Sequence, residues 1–219
     1  MLRSWARGRC DGAAGFGVRK ELVSALRDLR IVAPNALQTA ALPEALAGRD
    51  IVVSAQTGSG KTLAFLLPVL QRLSEWNVAF DGSRLSRPDA LVLAPSRELA
   101  VQISRVAAHL ASALPSNPRV ECVTSGAQFT PQRRALRDGD VRLLIATPER
   151  LLYHLTNDSV CVRGVRLVAI DEADVLLNAP SGIDKEARLL HSYLPVLPWR
   201  RDRTGAFEPG NMRCRGPSR

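Results

Sequence analysis

The sequence predicts an α/β domain built on a mostly parallel sheet with helices on both faces. Short, continuously apolar runs alternate with segments of helical spacing, which is typical of strands joined by crossover helices. The 219-residue chain is long enough for one sizeable domain, and its 46% hydrophobic content can supply a substantial core. Because ligands in such folds collect at the carboxyl ends of the strands, we expect the functional residues there.

The predicted elements follow one another along the chain in this alternating order. Helical spacing covers 18–29, and 36–48 predicts a short helix that is broken by Pro43. The sequence then predicts strands at 50–55, 90–94, 119–124, 141–147 and the apolar part of 165–174, alternating with helices at 61–73, 96–114, 131–137 and 148–155. Residues 75–88 are predicted to form a loop.

The two ends of the chain differ from its middle. The net charge of +9 is concentrated in residues 1–9 and 200–219, whereas the rest of the chain is nearly neutral. We therefore predict a basic N-terminal segment at 1–17, a folded domain at 18–195, and a disordered, arginine-rich tail at 196–219. Any binding of nucleic acid must then rest on local sites rather than on a global field.

The apolar runs, the cysteines and the N-terminal residues of the sequence each indicate something about the cellular compartment. No apolar run is long enough to span a bilayer, so a membrane partner is not expected. We interpret the four cysteines as free thiols of a reducing compartment, because they lack metal-ligand spacing: Cys10, Cys122, Cys161 and Cys214. The arginine-rich, acid-poor start is compatible with an organelle transit peptide, but an ordinary start is the favoured interpretation and the sequence predicts no particular compartment.

A glycine-rich corner joins the strand predicted at 50–55 to the following helix. Two glycines allow a tight turn and a close approach of the backbone to a ligand, while N–H groups at the helix start can bind an anion. The lysine supplies a charge for phosphates, and the threonine hydroxyl can bind Mg²⁺. A plain strand-to-helix turn is the alternative to nucleotide binding. We assign nucleotide binding to the whole corner: Ala55, Gln56, Thr57, Gly58, Ser59, Gly60, Lys61 and Thr62.

Three carboxylates follow the last apolar strand, in the stretch LVAIDEAD at 167–174. Buried charge is costly without a partner, and a metal-bound nucleotide would supply one. Asp171 would hold Mg²⁺ through its water shell, and Glu172 would orient or deprotonate the attacking water. The solvated start of a helix is the alternative, and the nearby presence of a phosphate-binding corner favours the metal site.

Together these motifs resemble those of the DEAD-box RNA helicases. AQTGSGKT and DEAD occur in the family's order and spacing with APSRELAVQ at 94–102, SGAQ at 125–128 and ATPERL at 146–151. The resemblance covers 18–195 and implies the first of two RecA-like domains, with ATP and Mg²⁺ as cofactors and RNA as the partner. It further implies catalytic roles and metal contacts for residues of these motifs: Lys61, Asp171 and Glu172 as catalytic residues, and Thr62 and Asp171 at the metal.

The resemblance also implies an adenine-reading glutamine, Gln38, in the stretch APNALQ. A side-chain amide offers a donor and an acceptor, which suits the N6 and N7 edge of adenine. The family stacks an aromatic residue on the base, whereas Ala13 stands at the expected position here and Phe16 is offset from it. Arg30 stands where the family has a glycine.

The remaining motifs imply contacts with the RNA backbone. Ser96 also fits an N-cap, and Thr147 fits an N-cap that is followed by proline in the first helical position. Glu149 replaces a glycine of the family, and its carboxylate would compete with a phosphate for the same N–H groups, while Ala127 replaces one of two glycines. The expected RNA contacts are Pro95, Ser96, Arg97, Gly126, Thr147, Pro148 and Arg150.

Two features of the family do not follow residue 174 in this sequence. One is a Ser-Ala-Thr motif after a further strand, and the other is the second RecA-like domain with its arginine fingers. We therefore expect the N-terminal half of an ATP-dependent RNA helicase, with an exposed sheet edge and no unwinding of its own. One alternative is a non-catalytic nucleotide- and RNA-binding module, or a regulatory short isoform, that acts through protein partners, which supply a second domain or activation. The other is an unrelated P-loop ATPase.

Overall fold

Four parallel strands form the centre of the fold in the computed structural model. It describes residues 16–56, 58–76, 85–138 and 140–178, and the short segments 199–201 and 207–209. The strands are β1 (Ala90–Leu93), β2 (Arg119–Val123), β3 (Val141–Ala146) and β4 (Leu167–Ile170), in the spatial order β2-β3-β1-β4. The helices among these residues are α1 (Lys20–Asp28), α2 (Ala36–Leu46), α3 (Lys61–Glu75), α4 (Arg97–Ser112), α5 (Phe129–Arg137), α6 (Pro148–Thr156) and α7 (Ala173–Asn178).

The register of the sheet brings the carboxyl ends of its strands together. Leu93 at the end of β1 pairs with Ala146 of β3 and with Ile170 of β4, and Ala146 also pairs with Val123 of β2. Backbone hydrogen bonds continue beyond the strands, since the N–H of Asp171 donates to the Leu93 carbonyl at 2.9 Å. The segments that follow the four strands therefore start from one edge of the sheet.

Two apolar clusters cover the two faces of the sheet, which confirms the predicted layers. Ala90 and Val92 face a cluster that includes buried residues of α1 to α4, whereas Leu91 and Leu93 face a cluster with residues of α5 and α6. Successive residues of a strand point to opposite faces, so a strand that is covered on both sides must be apolar throughout. This explains why β1 is a continuous apolar run.

The predicted strand at 50–55 is wrong, because residues 51–56 form no strand. Ile51 and Val52 are 36% and 78% exposed, and the ladders of the described residues do not include this segment. β4 lies at the edge of the sheet, and its four residues are only half-buried. A strand needs a neighbouring strand for its backbone hydrogen bonds, and an apolar run does not reveal whether that neighbour exists.

The predicted break at Pro43 is also wrong, since α2 continues through Pro43 to Leu46. A proline removes one N–H from the helix, but here both ends of α2 are held by side chains. Asn35 caps the start, and Arg72 of α3 donates to the carbonyl of Leu46 at 2.9 Å. These contacts stabilise the two ends of a helix that has one hydrogen bond fewer in its interior.

The tail at 196–219 is described only in part. Trp199–Arg201 forms β5 and Phe207–Pro209 forms β6, and the two strands pair antiparallel. The predicted disorder therefore does not hold for these six residues, where aromatic residues favour extended structure. The rest of that tail and residues 1–15 of the predicted basic segment lie outside the described residues, as do Cys10 and Cys214. Cys122 and Cys161 are free thiols.

A nearly buried ion pair fixes the start of β1 against β3. Asp89 accepts a hydrogen bond from Arg142 Nε, and the two side chains are only 10% and 11% exposed. Arg142 also donates to the carbonyl of Trp76 at 3.2 Å, so the same guanidinium joins the end of α3 to the sheet. We infer that this pair contributes to the stability of the whole domain.

We predict that Asp89→Asn lowers the free energy of unfolding by about 3 kcal/mol, because Arg142 then keeps a buried charge without its partner. The matched control is Asp138→Asn, which breaks an i,i+4 pair with Arg134 whose side chains are 58% and 82% exposed. This second change should cost less than about 1 kcal/mol. Urea unfolding followed by circular dichroism measures both values, and equal costs would contradict the role assigned to Asp89.

Candidate functional site

The glycine-rich corner forms a tight turn at the start of α3. Gly58 and Gly60 have φ angles of +82° and +83°, a region that favours glycine. A Cβ at Gly58 would meet no atom within 4 Å, so its surroundings are open, whereas a Cβ at Gly60 would lie 2.6 Å from Asn35 Nδ2. Lys61 begins α3 and donates from Nζ to the Ala55 carbonyl at 2.7 Å. The lysine at the end of the loop therefore bonds back to the residue at its start. Thr57 lies outside the described residues.

The start of α2 is bonded to this loop. Asn35 and Gln38 form a reciprocal capping box, in which each side chain accepts from the other's backbone N–H at 2.9–3.0 Å. Their remaining donors reach the loop, since Asn35 Nδ2 donates to the Ser59 carbonyl at 2.7 Å and Gln38 Nε2 to the Gly60 carbonyl at 3.1 Å. The structure thus brings the predicted adenine-reading residue to the predicted phosphate loop.

Gln38 is 3% exposed, and both ends of its amide already have partners. An amide has a second N–H and a second lone pair on its oxygen. Recognition of adenine by Gln38 must therefore use these remaining groups or release the loop. Phe16, the offset aromatic residue, packs against the hydrophobic core beside α1 to α4.

Asn35 is a site residue that the analysis of the sequence did not identify. An asparagine three residues before a glutamine is a signature of a capping box, so a signal for the helix start was present. The contact with Ser59, 24 residues further along the chain, carries no such local signal. Only the folded arrangement of α2 and α3 shows it.

The carboxylates of the DEAD motif follow β4. Asp171 is 6% exposed, and its Oδ1 accepts from the N–H of Glu172 at 3.0 Å. Glu172 has a φ of +49°, which is unusual for a residue other than glycine and marks a constrained turn. Within the described part of the chain, neither carboxylate forms an ion pair or a hydrogen bond with the glycine-rich loop. The second oxygen of Asp171 has no hydrogen-bond or ion-pair partner among the described residues.

The predicted RNA contacts after β1 and β2 lie next to each other. Ser96 caps α4, as its Oγ accepts from the N–H of Leu99 at 3.2 Å, while Pro95 precedes it in the turn after β1. Arg97 donates from Nη1 to the Gly126 carbonyl at 3.3 Å. Gly126 has a φ of +76°, and a Cβ there would lie 3.2 Å from the same guanidinium nitrogen. Glycine is therefore favoured by conformation and by the proximity of Arg97.

The start of α6 lies beside the loop that carries Gly126. Thr147 is the N-cap residue as predicted and Pro148 the first helical residue, but the Thr147 hydroxyl accepts from the N–H of Ser125 at 3.3 Å instead of capping the helix. Arg150 donates from Nε to the Thr124 carbonyl at 3.0 Å and from Nη2 to the Ala127 carbonyl. Arg150 thus holds the loop after β2 in place, and the first N–H groups of α6 have no side-chain cap.

Comparison with known proteins assigns the chain to a family. Residues 35–203 match the family described as DEAD/DEAH box helicase. The chain belongs to this family. The matched region includes α2, the glycine-rich loop and the four-stranded parallel sheet, and the flanked sheet is consistent with a RecA-like helicase domain.

Similar proteins are named as ATP-dependent RNA or rRNA helicases. The chain is 46% identical over 144 residues to mouse "Probable ATP-dependent RNA helicase DDX59". The matched region covers 66% of the chain and 22% of that protein. It is 37% identical over 171 residues to "ATP-dependent RNA helicase MAK5" of Pyricularia oryzae, covering 74% and 22% respectively. It is 39% identical over 191 residues to "ATP-dependent rRNA helicase RRP3" of Phaeosphaeria nodorum, covering 83% and 33%.

The chain thus spans between about a fifth and a third of the length of these helicases. None of the helices in the described part of the domain is long and apolar enough to cross a membrane.

One departure of this DEAD-box domain from the family is visible in its backbone. Arg30, which stands where the family resemblance predicts a glycine, has a φ of +60° and follows the C-cap residue of α1, Leu29. Its N–H donates to the Arg27 carbonyl, and the N–H of Ile31 donates to the Leu26 carbonyl, both at 2.8 Å. This is a helix end for which glycine is the usual residue, so a left-handed arginine costs about 1 kcal/mol here.

A buried histidine lies behind the predicted RNA contacts. His154 is fully buried, donates from Nε2 to Gln132 Oε1 at 3.1 Å, and packs 4.9 Å from the Phe129 ring. Its Nδ1 has no hydrogen-bond partner among the described residues. Burial lowers the pKa of His154 from 6.5 to about 4, with smaller contributions from the charges of Arg150 and Arg133.

We predict that the domain loses stability as the pH falls from 6.5 to 4. The unfolded chain binds a proton at His154 in this window and the folded domain does not, so the free energy of unfolding should fall by up to about 3 kcal/mol from this residue alone. His154→Leu removes the titrating group at similar volume. The free energy of unfolding of the parent protein minus that of this variant, both measured by urea unfolding, should decrease as the pH falls from 6.5 to 4. A value that stays constant over this range would contradict the assignment.

Proposed function

We propose that this chain is the ATP- and RNA-binding first half of a DEAD-box RNA helicase. The observation that carries the proposal is the pair of hydrogen bonds by which Asn35 and Gln38 hold the carbonyls of Ser59 and Gly60. They join the adenine motif and the phosphate loop of the family, which are 22 to 24 residues apart. A plain strand-to-helix turn would not need this connection.

ATP with Mg²⁺ fits the residues of this site. The loop has two glycines with positive φ, one of them in open surroundings, at the start of a 15-residue helix whose N-terminus favours anions. Lys61 would exchange the Ala55 carbonyl for phosphate oxygens, while Thr62 and Asp171 would hold the metal. The bound metal–nucleotide would supply the reactive phosphoryl group and neutralise its charge, and Glu172 would orient a water molecule.

RNA would bind along the segments that follow β1, β2 and β3. Arg97 provides a charge beside Gly126, which is exposed and has no side chain of its own. The uncapped N–H groups at the start of α6 offer donors to a phosphate. Arg150 acts by positioning the loop that contains Gly126. These contacts are directed at the RNA backbone and do not depend on its sequence.

We expect strand separation to need a second RecA-like domain beside the one proposed here. The second RecA-like domain of the family supplies an arginine that stabilises the transferring phosphoryl group, and such an arginine is typically worth about 10³–10⁵ in rate. The chain by itself is therefore expected to hydrolyse ATP barely above background and to leave a short RNA duplex intact. A second domain, from the same protein or from a partner, would complete the motor.

We predict that two substitutions separate the two binding activities. Lys61→Ala should reduce Mg·ATP binding at least tenfold, roughly the 1.4 kcal/mol or more of a charge-assisted contact, while RNA binding is unchanged. Arg97→Ala should weaken binding of RNA whatever its sequence, and should lower the slope of log affinity against log salt concentration by about one. ATP binding should stay unchanged. Titration of a fluorescent ATP analogue and anisotropy of a labelled single-stranded RNA measure the two affinities.

Arg105→Ala is the matched control, because Arg105 is an exposed arginine further along the same helix, α4. It should leave RNA affinity close to that of the parent protein. Unchanged ATP binding in Lys61→Ala would refute the phosphate assignment. Equal effects of Arg97→Ala and Arg105→Ala would show that RNA binding is a general charge effect.

A further inference from the structure

A cavity of about 470 Å³ lies between α6 and the loop after β2. Its size is within the range of about 300–1,000 Å³ that small organic ligands occupy. Residues that line it include Ser125, Gly126, Glu149, Arg150, Tyr153 and Thr156. Three of these six, Gly126, Glu149 and Arg150, also border the proposed RNA-backbone contacts. The cavity is therefore continuous with the proposed RNA surface, but the backbone contacts do not account for it.

The most distinctive side chain of the cavity is Tyr153. Its ring is held by Phe129, which packs edge-on with the ring centres 4.8 Å apart, and Arg150 lies 5.6 Å from the ring centre. Arg150 is itself fixed by two backbone carbonyls. Tyr153 nevertheless remains 48% exposed. An aromatic ring that is ordered by its neighbours and still exposed is suited to stacking on a flat ligand, as in proteins that bind single-stranded nucleic acid.

Glu149 lies one helical turn before Tyr153, on the same side of α6. It is exposed, and its carboxylate has no hydrogen-bond or ion-pair partner among the residues that the structure describes. A carboxylate at this place disfavours a phosphate and favours a group that donates hydrogen bonds. The cavity thus combines a stacking surface with two acceptor oxygens, beside positive charges from Arg97 and Arg150.

These features discriminate between the four bases of RNA. Guanine presents two neighbouring donors, N1–H and the N2 amine, which match the two oxygens of a carboxylate. Adenine and cytosine present an amine next to an acceptor nitrogen, and uracil presents one N–H between two carbonyls, so a carboxylate meets an acceptor in each of these three bases. The start of α6, where a phosphate is proposed to bind, lies five residues before Tyr153, about 7.5 Å along the helix.

We propose that the cavity beside α6 binds one guanine base of single-stranded RNA, with Tyr153 stacked on the base and Glu149 accepting from N1–H and the N2 amine. The proposal rests on the RNA binding proposed above and adds sequence preference to contacts that otherwise follow the backbone. Glu149 would then weaken the binding of RNA in general, because its carboxylate repels phosphate. RNA with guanine at this position would be affected least, because the base donates hydrogen bonds to the same carboxylate.

The test uses the 219-residue chain and a set of labelled uridine ten-mers in which a single guanosine occupies each position in turn. Anisotropy titrations should show one position at which guanosine raises the affinity about tenfold, which corresponds to one bidentate base contact. Inosine at that position, which lacks the N2 amine, should restore only part of the gain. Adenosine should give none of it.

Variants assign the preference to the two side chains. Glu149→Gln should abolish the gain from guanosine while it raises the affinity for plain uridine RNA. Tyr153→Leu should weaken binding of every member of the set about fivefold or more, the size of one stacking contact, and Tyr153→Phe should restore parental affinity. The matched control is Glu98→Gln, which removes the same charge from the first turn of α4 and should keep the preference.

The outcomes separate this proposal from the RNA binding on which it rests. If the parent protein binds RNA, and Arg97→Ala weakens it, but guanosine gives no gain at any position, the base site is refuted and the RNA function stands. A guanosine preference that survives in Glu149→Gln, or RNA affinity that is unchanged in Tyr153→Leu, also overturns the proposal. If the parent protein binds none of the RNAs, both inferences fail together.

Discussion

The alignment of the strand ends in the parallel sheet is the constraint on which the candidate site depends. Leu93 pairs with both Ala146 and Ile170, so the segments carrying Arg97, the start of α6 and Asp171 leave the sheet at one edge. Since β1 and β3 are buried on both faces, a slip of one residue would turn apolar side chains to the wrong layer. The ladder therefore sets the relative positions of residues that do not touch one another, and the nearly buried pair of Asp89 and Arg142 fixes the opposite end of the same strands.

The phosphate loop depends on a different set of contacts. Because residues 51–56 belong to no ladder among the described residues, the loop is held by α3 and by the side chains of Asn35 and Gln38. In this arrangement Lys61 already donates to the Ala55 carbonyl. If Lys61 exchanges this carbonyl for phosphate oxygens, as proposed above, nucleotide binding competes with a contact inside the protein. The same is true of Gln38, whose amide must exchange or share its partners before it can read a base.

The sequence predicted the parts of the structure that follow from local pattern. The buried strands β1 and β3 were recognisable because each contains a run of apolar residues between helices. The positive φ of Gly58 and Gly60 follows from a glycine-rich turn. What the sequence did not reveal depends on neighbours that are distant along the chain. An apolar run at 50–55 does not say whether another strand lies beside it, and no local pattern links Asn35 to Ser59 or shows that Tyr153 of an amphipathic helix remains exposed.

In the proposed function, ATP and RNA bind to separate surfaces of this domain. Hydrogen exchange of the chain, measured by mass spectrometry with each ligand in turn, tests it most directly. Mg·ATP should slow exchange at 35–38, 55–62 and 171–172, because these segments hold the loop and the carboxylates. Single-stranded RNA should slow exchange at 96–99, 124–127 and 147–153 and leave the first set unchanged. Protection of the same segments by both ligands, or of neither set, would contradict the claim.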